Sequence, residues 1–422
     1  MSSAREVLHQ RAVQHYLVST ALGSIGLNLI VTVLFKQAYD ITGDELTIGW
    51  IGLAQFIPAV LLVLVSGWVA DRFDRRRVSA LFLLARTACA GALVLYSLND
   101  PSSPRPMFAI AFALGASEAM LSPARRAIPP LIATPAQFPH VVALWTATFT
   151  GAAIIGPVLG GFLYTVGPAE AYAVAGVLEA LSILPILAIT YVRVPERVTE
   201  RPTLSAALEG LHFVMRTPIV LAAISLDLFA VLFGGAVALI PAVAEERLDV
   251  GDIAYGWLRA APGVGAALMA VVLAVSPIRR RVGPTLLVVV AVFGLGTIVF
   301  GVTTNYAVAF LALVVISAAD MVSMFIRGSL VPLATPDDQL GRVSAVEGVF
   351  IGASNELGAF ESGVAARAFG LPWSIAAGGF ITTVVAVSFA WLFPSLRQTD
   401  TFDEVRPESK VPIPAPASHE EH

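Results

Sequence analysis

A single cysteine, Cys89, occurs in 422 residues, which excludes an intramolecular disulfide and every metal site built from several thiolates. Charge is scarce as well: 13% of residues are Asp, Glu, Lys or Arg, against roughly 25% in an average soluble domain. A soluble chain of this length folds as about three domains, each under a charged surface, and the charge needed to cover them is missing. Nor is there a basic surplus. The 26 Lys and Arg against 30 Asp and Glu leave a net charge of −4, so no nucleic-acid partner is expected. The six histidines lie near termini or loops without ligand spacing, and the terminal His419-Glu420-Glu421-His422 does not match H-E-x-x-H, so no metal site is expected. The chain has no G-x-x-x-x-G-K-[ST], which disfavours an ATP-driven pump, and no G-x-S-x-G, which leaves an intramembrane enzyme without a recognisable nucleophile. No cofactor is called for.

Apolar residues are what the chain has in quantity: they make up 57% of it, with a mean hydropathy of +0.80. A bilayer core of about 30 Å needs about 20 apolar residues per helix. Twelve such runs are present, at 13–38, 47–70, 78–98, 106–123, 140–166, 168–192, 219–243, 254–277, 283–303, 306–327, 343–368 and 370–394. The first is longer than a signal-peptide core of about 7–15 residues and contains Asn28, so it reads as a retained span. The expected fold is an all-α membrane protein of twelve transmembrane helices.

An even number of spans places both termini on one side of the bilayer. That side carries twenty of the cations, Arg125 and Arg327 among them; the other carries Lys36, Arg105, Arg247 and Arg367. The positive-inside rule therefore puts both termini in the cytoplasm. The polar stretch 193–218, with an amphipathic segment at 204–215, divides the chain into bundles at 1–192 and 219–394. A tail at 395–422, with Pro407, Pro412, Pro414 and Pro416, is expected to be disordered. The halves echo each other at an offset of about 202–204 residues. Arg75-Arg76-Arg77-Val78 matches Arg279-Arg280-Arg281-Val282, the segment 130–135 matches 332–336, and Glu118 in span four has its counterpart in Asp320 of span ten. Repeats of this kind suggest two bundles rocking about a midplane site.

Between spans two and three runs Gly67-Trp68-Val69-Ala70-Asp71-Arg72-Phe73-Asp74-Arg75-Arg76. It resembles motif A of the major facilitator superfamily, G-x-x-x-D-R-x-G-R-R, with Asp74 in place of the glycine. Gly67 would permit close helix approach, and Asp71 would pair across the bundle interface with Arg342 at the start of span eleven. Span five carries Ala152-Ala153-Ile154-Ile155-Gly156-Pro157-Val158-Leu159-Gly160-Gly161, similar to the superfamily's motif C, which is associated with exporters that run as antiporters. Ala152, Gly156 and Gly160 form a small-residue face, and Pro157 can bend the helix. The resemblance runs from about residue 12 to 395. It points to the bacterial enterobactin-exporter and macrolide-efflux branch through Ser122-Pro123-Ala124-Arg125, Asp227-Leu228-Phe229-Ala230-Val231, Leu258-Arg259-Ala260-Ala261-Pro262 and the stretch 355–363. Two departures stand out: Ala359 replaces an acid common in that branch, and span four lacks the mid-helix arginine of many superfamily antiporters.

The runs enclose seven carboxylates, Glu118, Glu179, Asp227, Asp320, Glu347, Glu356 and Glu361, but only two arginines, Arg86 and Arg259. An ionised group at membrane depth costs a few kcal/mol unless paired or hydrated. Carboxylates in excess of cations are therefore candidates to carry protons. Matching depth on sequential helices makes Arg86 and Glu118 a structural pair and suggests an Arg259–Glu361 contact. Asp227, with no evident local cation, is the first candidate for the proton carrier, followed by Glu356, Glu361, Asp320 and Glu179. In span eleven Glu347 and Glu361 share a face that Glu356 opposes, at about 100° per residue. Asn28, Gln55, Trp145, Phe229, Phe233 and Asn355 are candidate cavity residues.

The resemblance implies a monomer in the cytoplasmic (inner) membrane of a bacterium, exporting amphipathic small molecules such as siderophores or drugs in exchange for protons. An importer or a lysophospholipid flippase of the same fold is the alternative.

Overall fold

The computed structural model describes residues 4–192, 204–336 and 339–405, all of them in helices and connecting turns. Each long helix ends where the sequence supplies a local stop. Gly43, with a left-handed φ of 57°, closes α1 (Arg11–Thr42) by donating its N–H to the Tyr39 carbonyl at 2.7 Å. Asp44 then caps α2 (Glu45–Arg72) through the Leu46 amide, and Asp74 caps α3 (Arg75–Ser97) through the Arg76 amide. The first half is completed by α4 (Arg105–Arg126), α5 (Phe138–Tyr164) and α6 (Pro168–Leu187). A linker helix, Leu204–Arg216, leads into α7 (Pro218–Gly234), which continues through a 3-10 turn and a π turn to Arg247. The second half follows as α8 (Asp252–Val275), α9 (Val282–Val302), α10 (Tyr306–Ala334), α11 (Leu340–Phe369) and α12 (Leu371–Leu392).

Eleven of these segments are long and apolar enough to cross a membrane. The twelfth, α11, spans 30 residues but carries Arg342, Glu347, Glu356, Glu361 and Arg367, which lower its hydropathy. The fold has the expected twelve long helices.

The repeat is visible in the packing. In the first half α1 packs on α5 and α6, α2 on α4, and α3 on α6; the second half repeats all four pairings six helices later. Two long-helix pairs dominate the contact between the halves, α5 with α8 and α2 with α11, and a two-fold exchange of the bundles interchanges them.

The apolar core is not evenly shared. At the end away from the termini one continuous cluster runs through both bundles, from Leu29, Val33 and Ile51 to Leu239, Tyr255 and Ala359. At the end that carries the termini it divides, with one large cluster around Leu226 and Leu330 in the second bundle and, in the first, a cluster around Tyr16 and Leu121 beside a small one of Ala70, Val78 and Ala124. The bundles are thus sealed together at the far end and parted at the termini end.

The sequence placed the whole stretch 395–422 in a disordered tail. Instead, residues 394–405 are folded against α9 and α10: Pro394–Gln398 forms a helical turn that buries Leu396, and Phe402–Val405 forms another. Apolar anchors at Leu396 and Phe402 and an acid at Asp400 hold this segment; residues 406–422 lie outside the described ones.

Candidate functional site

In the first bundle, Gly23 and Gly26 on α1 leave room for a carboxylate from α6. A Cβ at Gly26 would stand 3.1 Å from the Glu179 side chain. Arg86 reaches into this space from α3, donating from Nη1 to Glu118 at 3.0 Å and from Nη2 to the Gly23 carbonyl at 2.7 Å and to Glu179. The two acids differ in access: the Glu118 side chain is 45% exposed and that of Glu179 is fully buried. Arg86 and Glu118 border a cavity of about 220 Å³ with Asn28, Arg125 and Trp145, whose ring stacks on Phe149 at 6.0 Å. The Arg86–Glu118 pair is where sequential helices at equal depth place it. Glu179, counted among the proton carriers, shares the same guanidinium.

The second bundle corrects the sequence reading. Asp227 has a cation: Arg327 Nη2 lies 2.7 Å from its Oδ1, and Nη1 lies 4.0 Å from Glu347. Ending span ten at residue 327 counted this arginine among the loop cations, but α10 runs on to Ala334 and buries it. Arg125 is buried in the same way near the end of α4, with Nη2 3.4 Å from the Ser19 carbonyl. Four arginines, Arg86, Arg125, Arg259 and Arg327, therefore face the seven acids. A sequence signal for this existed: Glu118 and Arg125, like Asp320 and Arg327, stand seven residues apart, two helical turns on one face. Each arginine crosses from the fourth helix of its bundle to the first, finding a carbonyl in one half and the Asp227 carboxylate in the other. Asp320 lines a small cavity with Asp227 and Ser323 and forms no ion pair within 4.0 Å among the described residues.

At the far end the halves are tied by charge. Lys36 on α1 holds Asp40 of its own helix and, across the interface, Glu245 at 3.1 Å and Asp252 at 3.8 Å. Tyr39 donates to Glu246, Arg367 meets Asp44 at 2.8 Å, and Tyr255 donates to the Thr32 carbonyl at 2.8 Å. Sequence reading missed this latch because its partners across the interface lie between 207 and 323 residues apart.

The motif C glycines pack in two directions. A Cβ at Gly156 would fall 2.5 Å from Asn28 Cβ on α1, and one at Gly160 would fall 3.2 Å from Thr32. Gly161 faces the other bundle, where a Cβ would lie 2.4 Å from the Asp252 carbonyl oxygen and 2.6 Å from Gly256 Cα. Beside them Pro157 sits within α5, buried. Overpacking of this kind costs about 1–3 kcal/mol, so Gly161→Val is expected to raise labelling of a cysteine placed at Thr32 by roughly tenfold. Unchanged labelling would show that the far end does not depend on this contact.

Motif A is disengaged. Asp71 has Arg75 at 3.8 Å, not Arg342, whose partner is Glu209 of the linker helix at 2.7 Å. The expected Asp71–Arg342 contact lies at the termini end, where the bundles have parted. Gly67 likewise has no neighbour within 4 Å of its Cβ position. Arg72 lies over Trp68, while Arg75 donates to the Ala127 carbonyl. Asp74 binds Arg76 at 2.7 Å, and this guanidinium is the main cause holding its carboxyl down at about 2. A depressed carboxyl contributes its stabilisation above the unfolded value and loses it as pH falls through the folded one, so the cap on α3 persists throughout pH 5–8.

Arg259 does not contact Glu361. It donates to the Val237 carbonyl at 3.2 Å and lies over Phe35 of the first bundle, because the turn after α7 brings that carbonyl within reach. The Glu356 side chain lies outside the described residues. Phe229 stacks on Phe233 and meets Phe389 edge-on, away from the Asn28–Trp145 cavity. The amide of Asn355 is satisfied by its own helix, and Gln55 packs where Gly115 lets α2 and α4 touch.

Comparison with known proteins agrees with this architecture. The family model described as Major Facilitator Superfamily matches residues 16–359. The multidrug efflux pump Tap of Mycolicibacterium fortuitum is 27% identical over 378 residues, covering 85% of this chain and 90% of its own. An uncharacterized MFS-type transporter of Bacillus subtilis (strain 168), YfiS, is 25% identical over 71% of this chain and 70% of its own. Among solved structures, a bacterial homologue of the human lysosomal transporter Spinster, inward-facing and occupied, superposes with a TM-score of 0.73 at 15% identity, covering 95% of this chain and 98% of that one. The nucleoside transporter NupG gives 0.69 at 13% identity, over 90% and 100%. At these identities the structural likeness shows the fold alone.

Proposed function

The chain belongs to the major facilitator superfamily, and from that premise we propose that this multi-pass transporter is a proton-coupled exporter of amphipathic small molecules, with both termini in the cytoplasm of a bacterium. The parted termini end is then the cytoplasmic mouth. The relative named a multidrug efflux pump supports outward transport of small molecules, and the lopsided distribution of cations supports the orientation.

One observation carries the coupling. A single guanidinium, Arg327, holds Asp227 at 2.7 Å and lies 4.0 Å from Glu347, while Asp320 lines the same small cavity as Asp227. One cation compensates one carboxylate well; the others are stabilised at membrane depth by taking a proton or by hydration. Asp227 keeps the arginine in this state, so Asp320 takes over as the leading proton carrier and Asp227 becomes its competitor. Reorganisation of the bundle hands Arg327 from one acid to another and releases the proton on the side then open. Substrate enters the cavity bordered by Glu118, Asn28 and Trp145.

Proteoliposomes holding a pH-sensitive dye test this reading. Asp320→Asn is expected to lose substrate-induced proton movement while retaining downhill substrate exchange, and Asp227→Asn to impair both. Normal proton movement in the Asp320→Asn protein would overturn the assignment. Asp74 stays ionised over pH 5–8 and contributes no pH dependence there.

A further inference from the structure

The arginine runs 75–77 and 279–281 are repeat counterparts, each at the start of the third helix of its bundle. The first half carries an acid in place: Asp74 precedes the run, accepts the Arg76 amide at 2.9 Å and pairs with the Arg76 guanidinium. In the second half that position is Ile278, and the acid comes from beyond the last long helix. Asp400 Oδ1 accepts the Arg281 amide at 3.0 Å and Oδ2 accepts Arg280 Nε at 3.0 Å. The same segment supplies two carbonyls, Asp400 O to the Val282 amide and Thr399 O to the Gly283 amide, both at 3.1 Å. The first amides of a helix have no partner within it; here three in succession are satisfied by residues more than a hundred positions away.

The fit is close. A Cβ at Gly283 would stand 1.6 Å from the Leu396 carbonyl oxygen, so only glycine admits the segment there. Asp400 is itself held by its N–H to Glu404 at 2.9 Å, and the Arg281 amide and Arg280 keep its carboxyl below the ordinary range. One further contact reaches the charge site. Phe402 meets Phe325 of α10 edge-on, with ring centroids 6.4 Å apart. Phe325 and Arg327 are two residues apart, about 200° around the helix, so α10 is held between the segment on one side and Asp227 on the other.

We propose that residues 394–405 form a strap that supplies to α9, from a distance, the acidic cap that Asp74 supplies to α3 locally, and that through Phe402 the strap positions Arg327 against Asp227. Asp400 and Phe402 are thus positioning residues for the transport cycle. This rests on the transport reading for its rate but not for its geometry.

The full chain in proteoliposomes, with Asp400→Ala, Asp400→Glu and Phe402→Ala variants, tests it by amide hydrogen exchange and by transport kinetics. Asp400→Ala is expected to speed exchange at the Arg281 amide by about fivefold, to loosen α10 around Arg327 and to lower the maximal rate with KM unchanged. Asp400→Glu restores both. Phe402→Ala leaves the α9 amides protected but loosens α10 and lowers the rate. Unchanged exchange in Asp400→Ala overturns the cap, and faster exchange that stops at α9 overturns the positioning role. If the wild-type protein moves no protons, the exchange results still decide the strap while the coupling reading fails.

Discussion

Replacing Arg86 by leucine is expected to destabilise the protein by about 3–5 kcal/mol, the cost of leaving a buried carboxylate without its cation. Glu179 has no exposed surface, and its Oε2 already lacks a partner. Glu118 suffers less, because its side chain opens to the cavity. For a bundle of this size the loss corresponds to an apparent Tm lower by roughly 6–20 °C in detergent. The double variant Arg86→Leu with Glu179→Leu removes both charges together and is expected to recover most of that, since an apolar replacement of a buried pair is often neutral. A single variant that melts with the wild type would mean that Glu179 is held neutral and Arg86 contributes little to it.

The latch is expected to give the other large effect, this time on conformation. Lys36 gathers Asp40, Glu245 and Asp252 from two bundles while only 10% of its side chain is exposed. Lys36→Met keeps the aliphatic stem and removes the charge. Charge-assisted contacts of this sort are each worth about 1.5–3 kcal/mol, so the ratio of the sealed to the opened far end is expected to fall by roughly thirtyfold. Spin labels at Ser102 and Thr304, one in each half, read the change as a longer distance population. A distance distribution identical to that of the wild type would remove the latch from the account.

Much of the architecture was legible because apolar length and cation placement act locally. The twelve runs, the repeat and the division at the linker all follow from stretches read one at a time. The charge sites were legible only where partners sit on successive helices at equal depth, as with Arg86 and Glu118. Glu179 escaped because α3 and α6 are neighbours in space but not in sequence. Arg327 and Arg125 escaped because polar residues near a helix end look like a boundary, although the helix continues past them. The Asp71–Arg342 expectation met a different obstacle: Arg342 pairs with Glu209 of the linker helix, an element whose packing against α11 the sequence does not reveal.

The polarity of α11 has a consequence for how the chain enters the membrane. Charged residues near a helix centre oppose insertion by about 2.5–3.5 kcal/mol each on translocation scales, and Glu347, Glu356 and Glu361 all lie within this helix. Alone, α11 is a poor client for the insertion machinery. It is separated from the apolar α12 by Gly370 alone, too short a connection for the two to be handled in turn. The pair is expected to enter as one hairpin, with α12 supplying the hydrophobicity that α11 lacks. A chain truncated after Gly370 is therefore expected to leave α11 uninserted, and restoring α12 to commit it to the bilayer; protease protection of α11 in the truncated chain would count against this.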